Sequence, residues 1–306
     1  MYIIHPFLSN YPISISLKGN KYALLHGQSE NARMAFDRSC DIGGNAVSKK
    51  KEQAVVYSQQ NIATGIYDMW METSLAKDAK PGQFISVYPQ DKSTLLPRPI
   101  SICEVDKENS RLRIVYRVAG KGTAEFSGYQ KADKIDVLGT LGNGFPLEKA
   151  EGKRVFLIGG GIGVPPMLET AKQLAGKTKE TNVILGYRNS ELFLKEDFEK
   201  YANLFIATED GSVGTKGNVL TAISEKGLEA DIIFSCGPMP MLRALKQYAA
   251  EKQIPAYISL EERMACGVGA CLGCVVKTRE VDHHSHVKNA RICTDGPVYL
   301  ADDVEI

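Results

Sequence analysis

The stretch Arg154-Val-Phe-Leu-Ile-Gly-Gly-Gly-Ile-Gly-Val-Pro-Pro166 decides the fold, because it joins a short apolar strand to the start of a helix. Helical spacing continues from Met167 to Leu174. A glycine-rich turn between such elements lets the backbone approach a pyrophosphate, whose negative charge is favoured by the helix N-terminus. Val164 stands where the dinucleotide-binding fingerprint has a third glycine, so a tight structural turn is the alternative interpretation.

Strand and helix patterns alternate after this turn. Apolar runs at 182–186, 204–208 and 231–235 are predicted to be further strands, and 240–250 has the spacing of a helix. Alternation of this kind predicts a parallel sheet covered by helices, which we place at residues 151–258.

Ligands of parallel sheets collect at the carboxyl ends of the strands, so the glycine turn and the segment after the last strand should border one crevice. An inert buried thiol is the alternative interpretation of Cys236 in that segment. The predicted nucleotide-binding residues are Gly159, Gly160, Gly161, Gly163, Cys236, Gly237 and Pro238.

Residues 53–150 have a different pattern, in which short strand-like runs are separated by turn residues. The runs lie at 54–57, 84–88, 112–117 and 135–138. This pattern predicts a small antiparallel barrel. The preceding residues, 1–52, show no sustained helix or strand period, so we predict a poorly ordered extension there.

Two segments of the predicted barrel could bind an anion. Arg98 supplies a cation and Ser101 a hydroxyl at the start of a strand. Gly122 and Thr123 precede a predicted helix over 124–129, which Thr123 could cap while the two backbone amides face a phosphate. Either segment alone could be a surface turn. Their combination with a dinucleotide-like domain favours a binding site.

Four cysteines form the most specific chemical motif. Cys266, Cys271, Cys274 and Cys293 have the spacing Cys-x4-Cys-x2-Cys with a distant fourth cysteine, which is typical of a plant-type 2Fe-2S cluster. Thiolate is a soft ligand that suits iron-sulfur clusters, and the intervening glycines let the backbone curl around them. A zinc site is the alternative, although only one Cys-x2-Cys pair is present. We assign this module to residues 259–306.

Three histidines, His283, His284 and His286, lie between the third and fourth of these cysteines. They suggest a Rieske centre, in which two histidines replace two cysteines. Because four cysteines already complete the ligand set, we expect the histidines to lie in a solvated loop. The total of seven cysteines is odd, which argues against a disulfide framework.

Composition excludes several classes of function. The 306 residues indicate two or three domains, and the 37 basic and 36 acidic side chains nearly cancel, so we expect no nucleic-acid or anionic-membrane binding. No apolar run approaches the roughly eighteen residues that span a bilayer. Pro6 and Pro12 argue against a signal peptide. Together with cysteines that are expected to be free thiols, these features favour a protein of the reducing cytoplasm.

With these motifs assembled, residues 53–306 resemble the ferredoxin-NADP reductase superfamily, and within it the family of electron-transfer subunits of dihydroorotate dehydrogenase B. The resemblance rests on the motifs above and on the segments 96–101, 115–117, 141–145 and 260–264, which occur in this order. It implies an FAD-binding barrel, an NAD-binding α/β domain and a C-terminal 2Fe-2S domain. Residues 1–52 match nothing in the family, which a start codon placed too far upstream would explain.

By the resemblance, one set of barrel residues holds the flavin. Ile100 stands where many flavin reductases of the superfamily place a tyrosine that stacks on the flavin ring, so that contact is absent. The implied FAD-binding residues are Arg98, Pro99, Ile100, Ser101, Val115, Tyr116, Arg117, Gly122 and Thr123.

The implied function is electron transport in pyrimidine biosynthesis. Electrons would pass from the FMN of a separate dihydroorotate dehydrogenase catalytic subunit through the 2Fe-2S cluster to FAD, and then as hydride to NAD+. A heterotetramer with two copies of each chain is the implied assembly. We nominate no catalytic residue, because the cofactors carry this chemistry.

Two other functions stay open from the sequence. One is the small subunit of an NADH-dependent ferredoxin:NADP oxidoreductase or of a sulfide dehydrogenase. Arg188 would favour it by meeting a 2′-phosphate, and an exposed arginine at a helix start is the alternative interpretation of this residue. The other is a zinc-stabilised binding protein without enzymatic activity.

Overall fold

The structure is a computed structural model that describes residues 49–281 and 286–306. Of the extension predicted over 1–52, residues 1–48 lie outside the described residues, as do His283 and His284. The first strand begins at Lys50, three residues before the predicted start of the barrel.

Fifteen strands are present in the described part of the chain. The first six are β1 (Lys50–Ala63), β2 (Ile66–Glu72), β3 (Phe84–Tyr88), β4 (Arg98–Asp106), β5 (Arg111–Arg117) and β6 (Lys134–Leu141). The next six are β7 (Arg154–Gly160), β8 (Glu180–Tyr187), β9 (Asn203–Thr208), β10 (Thr215–Lys216), β11 (Ile232–Cys236) and β12 (Ala256–Ser259). The last three are β13 (Val275–Lys277), β14 (Asn289–Arg291) and β15 (Val298–Leu300).

Five α-helices accompany these strands in the described part of the chain. They are α1 (Lys121–Phe126), α2 (Pro166–Leu174), α3 (Lys195–Phe198), α4 (Val219–Glu225) and α5 (Met239–Lys252). Short 3-10 turns occur at Ser74–Lys77, Leu147–Ala150, Gly161–Gly163 and Ala301–Asp303. No helix among the residues that the structure describes is long and apolar enough to cross a membrane.

The first six strands close into an antiparallel barrel in the order β1-β2-β5-β4-β3-β6. Alternate side chains fill the barrel interior, as the period of two in a strand requires. Ile85, Ile102 and Ile114 are fully buried there. The outward-facing residues of β3 and β6 are free to pack on other parts of the chain.

The α/β domain contains a seven-stranded sheet in the order β10-β9-β8-β7-β11-β12-β15. All neighbours are parallel except β15, which pairs antiparallel with β12 at the edge. Helix α2 packs on this sheet through Met167, Leu168, Ala171 and Leu174, which are all fully buried. Each such side chain contributes about 1.5–3 kcal/mol of hydrophobic stabilisation, apart from the smaller alanine. The predicted fold class is therefore confirmed: a barrel, a parallel sheet with helices and a small C-terminal module.

A buried ion network connects the barrel to the nucleotide domain. Arg113 on β5 makes a two-pronged contact with Asp68 of β2, at 2.9 and 2.8 Å. The same guanidinium donates to Glu104 on β4 at 3.1 Å and to Asp197 on α3 at 2.9 Å. Planar guanidinium suits this geometry, because its five donors can serve several carboxylates at once.

The C-terminal module and the barrel share one apolar core. Phe84, Leu138 and Leu141 on the outer face of the barrel belong to the same buried cluster as Cys274 and Cys293. The cysteine segment is therefore held against strands β3 and β6.

Candidate cofactor and electron-transfer site

The two anion-binding segments predicted in the barrel lie next to each other. Arg98 starts β4, and its side chain lies so close to Gly122 that a Cβ there would sit 3.0 Å from Nε and 3.1 Å from Cζ. One guanidinium nitrogen donates to the carbonyl of Leu96 at 2.6 Å. The first amides of α1 have no partner within the helix, so this corner combines a cation with backbone donors and fits a phosphate group.

Contrary to the prediction, Thr123 is not the N-cap residue of the helix, although its side chain accepts from the backbone amide of the N-cap. Helix α1 begins at Lys121 rather than Ala124, and Gly120 is its N-cap. Thr123 lies in the first turn, where its Oγ1 accepts from the amides of Ala119 at 2.8 Å and Gly120 at 3.2 Å. The side chain thus fixes the loop that leads into the helix, and only its backbone amide can face a ligand.

Strand β4 divides the other flavin-motif residues between its two faces. Ile100 points into the barrel core and is 8% exposed. Pro99 pairs with Ser86, and Ser101 pairs with Phe84, on β3. Cross-strand partners point to the same face, so Pro99 and Ser101 lie on the outer surface of the barrel.

Strand β5 also places its predicted residues in different environments. Val115 is buried in the core between the barrel and the nucleotide domain. Tyr116 is buried in the barrel, where its hydroxyl donates to Gln59 at 2.8 Å. Arg117 is exposed and lines the nucleotide crevice. Of these three side chains, Arg117 alone is available to a ligand in the crevice.

The crevice is a cavity of about 880 Å³ at the carboxyl ends of the parallel strands. The turn after β7 and the turn after β11 meet there as the sequence predicts. A Cβ on Gly160 would lie 2.6 Å from Sδ of Met241 and 3.1 Å from Cδ of Pro238, so the two turns are in close contact and Met241 would have to move to accept a side chain there. The cavity has the size of a cofactor site and the position that open parallel sheets use for ligands.

Four of the seven predicted nucleotide-binding residues line this cavity, and three do not. Gly160, Gly161, Gly237 and Pro238 form part of its wall. Gly159, Gly163 and Cys236 lie behind the wall. Cys236 is fully buried, and burial raises the pKa of its thiol, so it is the inert thiol of the alternative interpretation.

Three acidic residues line the crevice, and none was among the predicted site residues: Glu191, Glu209 and Glu261. Glu209 directly follows β9, and Glu261 follows β12 by two residues. Glu261 is open to solvent through the mouth of the crevice but surrounded by protein atoms, which raises the pKa of its carboxyl, while Arg117 lowers it. Arg188, which follows β8, shares the cavity wall with Glu209. Applying the carboxyl-end rule to every strand would have found Glu209 and Glu261.

The four cysteines of the C-terminal module form two pairs. The thiol of Cys266 contacts that of Cys271, and the thiol of Cys293 contacts that of Cys274. A 2Fe-2S cluster takes two protein ligands on each iron, which matches this pairing. Among the described residues, no group of three possible metal ligands gathers around one point.

Backbone donors surround the first pair. The amides of Val268 and Cys271 each donate to Sγ of Cys266 at 3.4 Å. Burial raises the pKa of Cys266, but these hydrogen bonds outweigh it and lower the pKa to about 6. Cys266 is therefore a thiolate at neutral pH, which is the form that binds metal. Burial and the neighbouring Cys274 raise the pKa of Cys293 to about 12, so a bound metal must displace its proton.

The outer face of the barrel brings the flavin motif and the cluster segment together. Ser86 on β3 pairs with Pro99 on one side and with Leu138 on the other. A Cβ on Gly267, the residue after Cys266, would lie 3.2 Å from Oγ of Ser86. This hydroxyl is buried and has no hydrogen-bond partner among the described residues, which fits a site completed by a bound group.

Two family models match the chain. The model described as the iron-sulfur cluster binding domain of dihydroorotate dehydrogenase B matches residues 261–305, which include all four cysteines. The model described as an oxidoreductase NAD-binding domain matches residues 157–247. The C-terminal module is thus an iron-sulfur domain, and the zinc interpretation has no support from these matches.

Relatives and solved structures agree with these matches. The dihydroorotate dehydrogenase B (NAD(+)) electron transfer subunit of Bacillus velezensis is 42% identical over 261 residues, which cover 84% of this chain and 100% of the relative. The protein of the same name from Streptococcus mutans is 43% identical over 251 residues, covering 81% and 96%. A structure of NADH-dependent reduced ferredoxin-NADP oxidoreductase is 29% identical with a TM-score of 0.73, covering 82% of this chain and 89% of that one. A ferredoxin NADP+ reductase from Neisseria gonorrhoeae, 17% identical with a TM-score of 0.57 over 66% and 91% of the two chains, shares the fold.

Proposed function

Since this chain belongs to the family of electron-transfer subunits of dihydroorotate dehydrogenase B, we propose that it carries electrons from the FMN of a separate catalytic subunit to NAD+. When bound, the 2Fe-2S cluster supplies single-electron exchange and FAD supplies hydride exchange. The observation that carries the proposal is the outer face of the barrel, where Ser86 lies between the flavin motif on β4 and the cluster segment at Gly267.

The barrel residues hold and orient the flavin in this proposal. Arg98 and the first amides of α1 bind the pyrophosphate, and Gly122 leaves the space in which the guanidinium lies. Pro99 and Ser101 form the surface beside the flavin ring, since they face outward next to Ser86. No side chain is required to move a proton at the flavin.

The cluster segment is the natural place for electrons to enter. Cys271 is exposed, and its neighbours Val268 and Leu272 are large apolar residues that are 43% and 64% exposed. Apolar side chains beside an exposed ligand suit contact with a partner protein. We place the catalytic subunit against this surface, and dihydroorotate oxidation belongs to that subunit.

The crevice binds the nicotinamide nucleotide in this proposal. Arg117 reaches it from the barrel and Glu261 from the end of β12, so the two charges lie where the two domains meet. We assign them to orienting the nicotinamide end. Glu209 at the end of β9 repels a 2′-phosphate and favours NAD+ over NADP+.

The finer assembly is also part of the proposal. Two copies of this chain join two copies of the catalytic subunit, and they act in the cytoplasm. A reducing compartment keeps the cluster thiolates available, and the six cysteines of the described residues are free thiols.

Co-expression with an FMN-containing dihydroorotate-oxidising chain from the same host tests the proposal. Alone and anaerobically prepared, this chain should show flavin and iron-sulfur absorption and oxidise NADH with an artificial acceptor, without oxidising dihydroorotate. The mixture should reduce NAD+ with dihydroorotate. Cys293→Ser is the matched control, because it should retain FAD and NADH oxidation but lose the coupled reaction. A colourless chain that contains zinc would refute the proposal.

The NADH-dependent ferredoxin-NADP oxidoreductase subunit is the second candidate, favoured by the TM-score of 0.73 and by Arg188 in the crevice. Steady-state comparison of NADH with NADPH separates the two. A clear preference for NADPH would favour the second candidate over the first.

A further inference from the structure

Tyr299 carries a buried hydroxyl for which the described residues provide no partner. It lies on β15, and its ring packs against Gly296, where a Cβ would be 2.5 Å from Cε2 and 2.6 Å from the hydroxyl oxygen. The hydroxyl oxygen is buried and makes no hydrogen bond to any described residue. The nearby carbonyl of Gly296 already accepts from the amide of Asn143 at 2.6 Å. A buried hydroxyl without a partner is unfavourable, so a bound group is the expected acceptor.

The surroundings of Tyr299 identify that group. Its ring packs against the apolar core that contains Cys274 and Cys293, the two buried members of the cysteine set. Burial raises the pKa of Tyr299, and the charges of Asp295, Cys274 and Cys293 raise it further. A tyrosine hydroxyl has one proton to donate, and Cys274 and Cys293 are close enough to influence this hydroxyl.

We propose that the Tyr299 hydroxyl donates a hydrogen bond to a sulfur of the 2Fe-2S cluster, on the side held by Cys274 and Cys293, and so raises the reduction potential of the cluster. The proposal rests on the proposed function, because it requires the cluster to be bound. Reduction adds negative charge to the sulfurs, and a hydrogen bond to a more negative acceptor is stronger. Hydrogen bonds to the sulfurs are one of the factors that set such potentials.

Y299F in the full chain, loaded with the cluster under anaerobic conditions, tests the proposal. A redox titration followed by the paramagnetic signal of the reduced cluster gives the midpoint potential. At the midpoint of the unsubstituted protein, the ratio of reduced to oxidised cluster should fall about two- to tenfold in Y299F, which corresponds to the loss of one hydrogen bond. Iron and sulfide contents should be unchanged.

Y129F is the matched control, because it also removes a tyrosine hydroxyl, one that donates to Glu125 in the barrel at 2.6 Å. It should leave the ratio unchanged. Thermal unfolding of the cluster-free protein adds a structural readout. Y299F should be as stable as the parent or more stable, because its hydroxyl has no protein partner to lose.

Three results would overturn the proposal: an unchanged potential in Y299F, the same shift in Y129F, or a folded Y299F that loads fewer clusters. A second measurement uses the unsubstituted protein grown with ring-deuterated tyrosine. Hyperfine spectroscopy of the reduced cluster should detect deuterons that Y299F removes, and their absence would also overturn it. A parent chain that binds no iron would instead refute the proposed function, so the two failures are distinguishable.

Discussion

Replacement of Arg113 by methionine tests whether the buried ion network fixes the barrel against the nucleotide domain. The Arg113 side chain is 10% exposed and Asp68 is 3% exposed, so both charges are largely removed from water. Lys172 lies 3.0 Å from Glu104 and Lys200 lies 2.7 Å from Asp197, so these two carboxylates keep a cation after the substitution. Among the carboxylates that contact Arg113, Asp68 is the one that loses its principal counter-charge.

The loss of the counter-charge of Asp68 sets the expected change in the free energy of unfolding. Removing one partner of a buried ion pair costs about 3–5 kcal/mol, because the other charge stays buried without compensation. We therefore expect R113M to lower the free energy of unfolding by about 3–5 kcal/mol at pH 7. Adding Asp68→Asn to R113M should recover part of this loss, because it removes the uncompensated charge.

Urea unfolding followed by tryptophan fluorescence is the assay. The chain has one tryptophan, Trp70, and it pairs with Arg113 across β2 and β5. The signal therefore reports on the barrel beside the substitution. Asp197→Asn is the comparison variant, and its loss should be nearer 1 kcal/mol because Asp197 is more exposed. A loss below about 1 kcal/mol in R113M, with an unchanged dependence on urea, would refute the reasoning, since desolvation would then cancel the ion pairs.

Three further substitutions test the site and the fold. Gly122→Val should weaken FAD binding roughly tenfold or more in a fluorescence titration, because the valine side chain would displace Arg98. The hydrogen bond from Arg98 to the phosphate would then be lost, and such a charge-assisted bond is worth about 1.5–3 kcal/mol. Glu209→Gln should raise kcat/KM for NADPH relative to NADH by roughly tenfold, since it removes a like charge facing the 2′-phosphate; an unchanged ratio would contradict this. Burial raises the pKa of Glu52, but hydrogen bonds from Lys50, Ser74 and Thr73 lower it to about 2, below the ordinary 4.5. The stabilisation from Glu52 should thus be complete above about pH 4.5 and disappear as the pH falls through 2. Allowing for solvent screening, Glu52→Gln should lower the free energy of unfolding by about 1 kcal/mol near neutral pH. The difference between the variant and the parent should shrink progressively in unfolding curves measured in acid.

The sequence predicts strands best where one face of the strand is apolar and turns bound it. The predicted run 84–88 coincides with β3, and the predicted 231–235 differs from β11 by one residue at each end. Strand β2 was not predicted, because Asp68 and Glu72 interrupt its apolar pattern. Asp68 is tolerated inside only because Arg113, which is 45 residues away in sequence, pairs with it. A local pattern contains no information about such a partner.

Site residues also depend on contacts that the local sequence does not encode. The sequence motifs identify Arg98 and Gly122 as separate candidates, but their contact depends on how β4 and α1 meet in the closed barrel. Thr123 has the residue type of a cap, yet the helix begins two residues before it and the hydroxyl serves the loop. Glu261 lies in the segment 260–264 that supports the family resemblance, but nothing local in the sequence assigns it to the nucleotide crevice. Its role becomes visible when the sheet places the end of β12 beside the crevice.

The position of β3 explains why one chain can hold both redox groups. This strand pairs with β4, which carries the flavin motif, and with β6, whose Leu141 lies against the cluster segment. Neighbouring strands are about 4.8 Å apart, so β4 and β6 are separated by roughly two strand spacings, or about 10 Å. Because the outward side chains of β3 and β6 share a core with Cys274 and Cys293, separating the motifs would expose that core to water. The packing that stabilises the C-terminal module is therefore the same packing that keeps the electron path short.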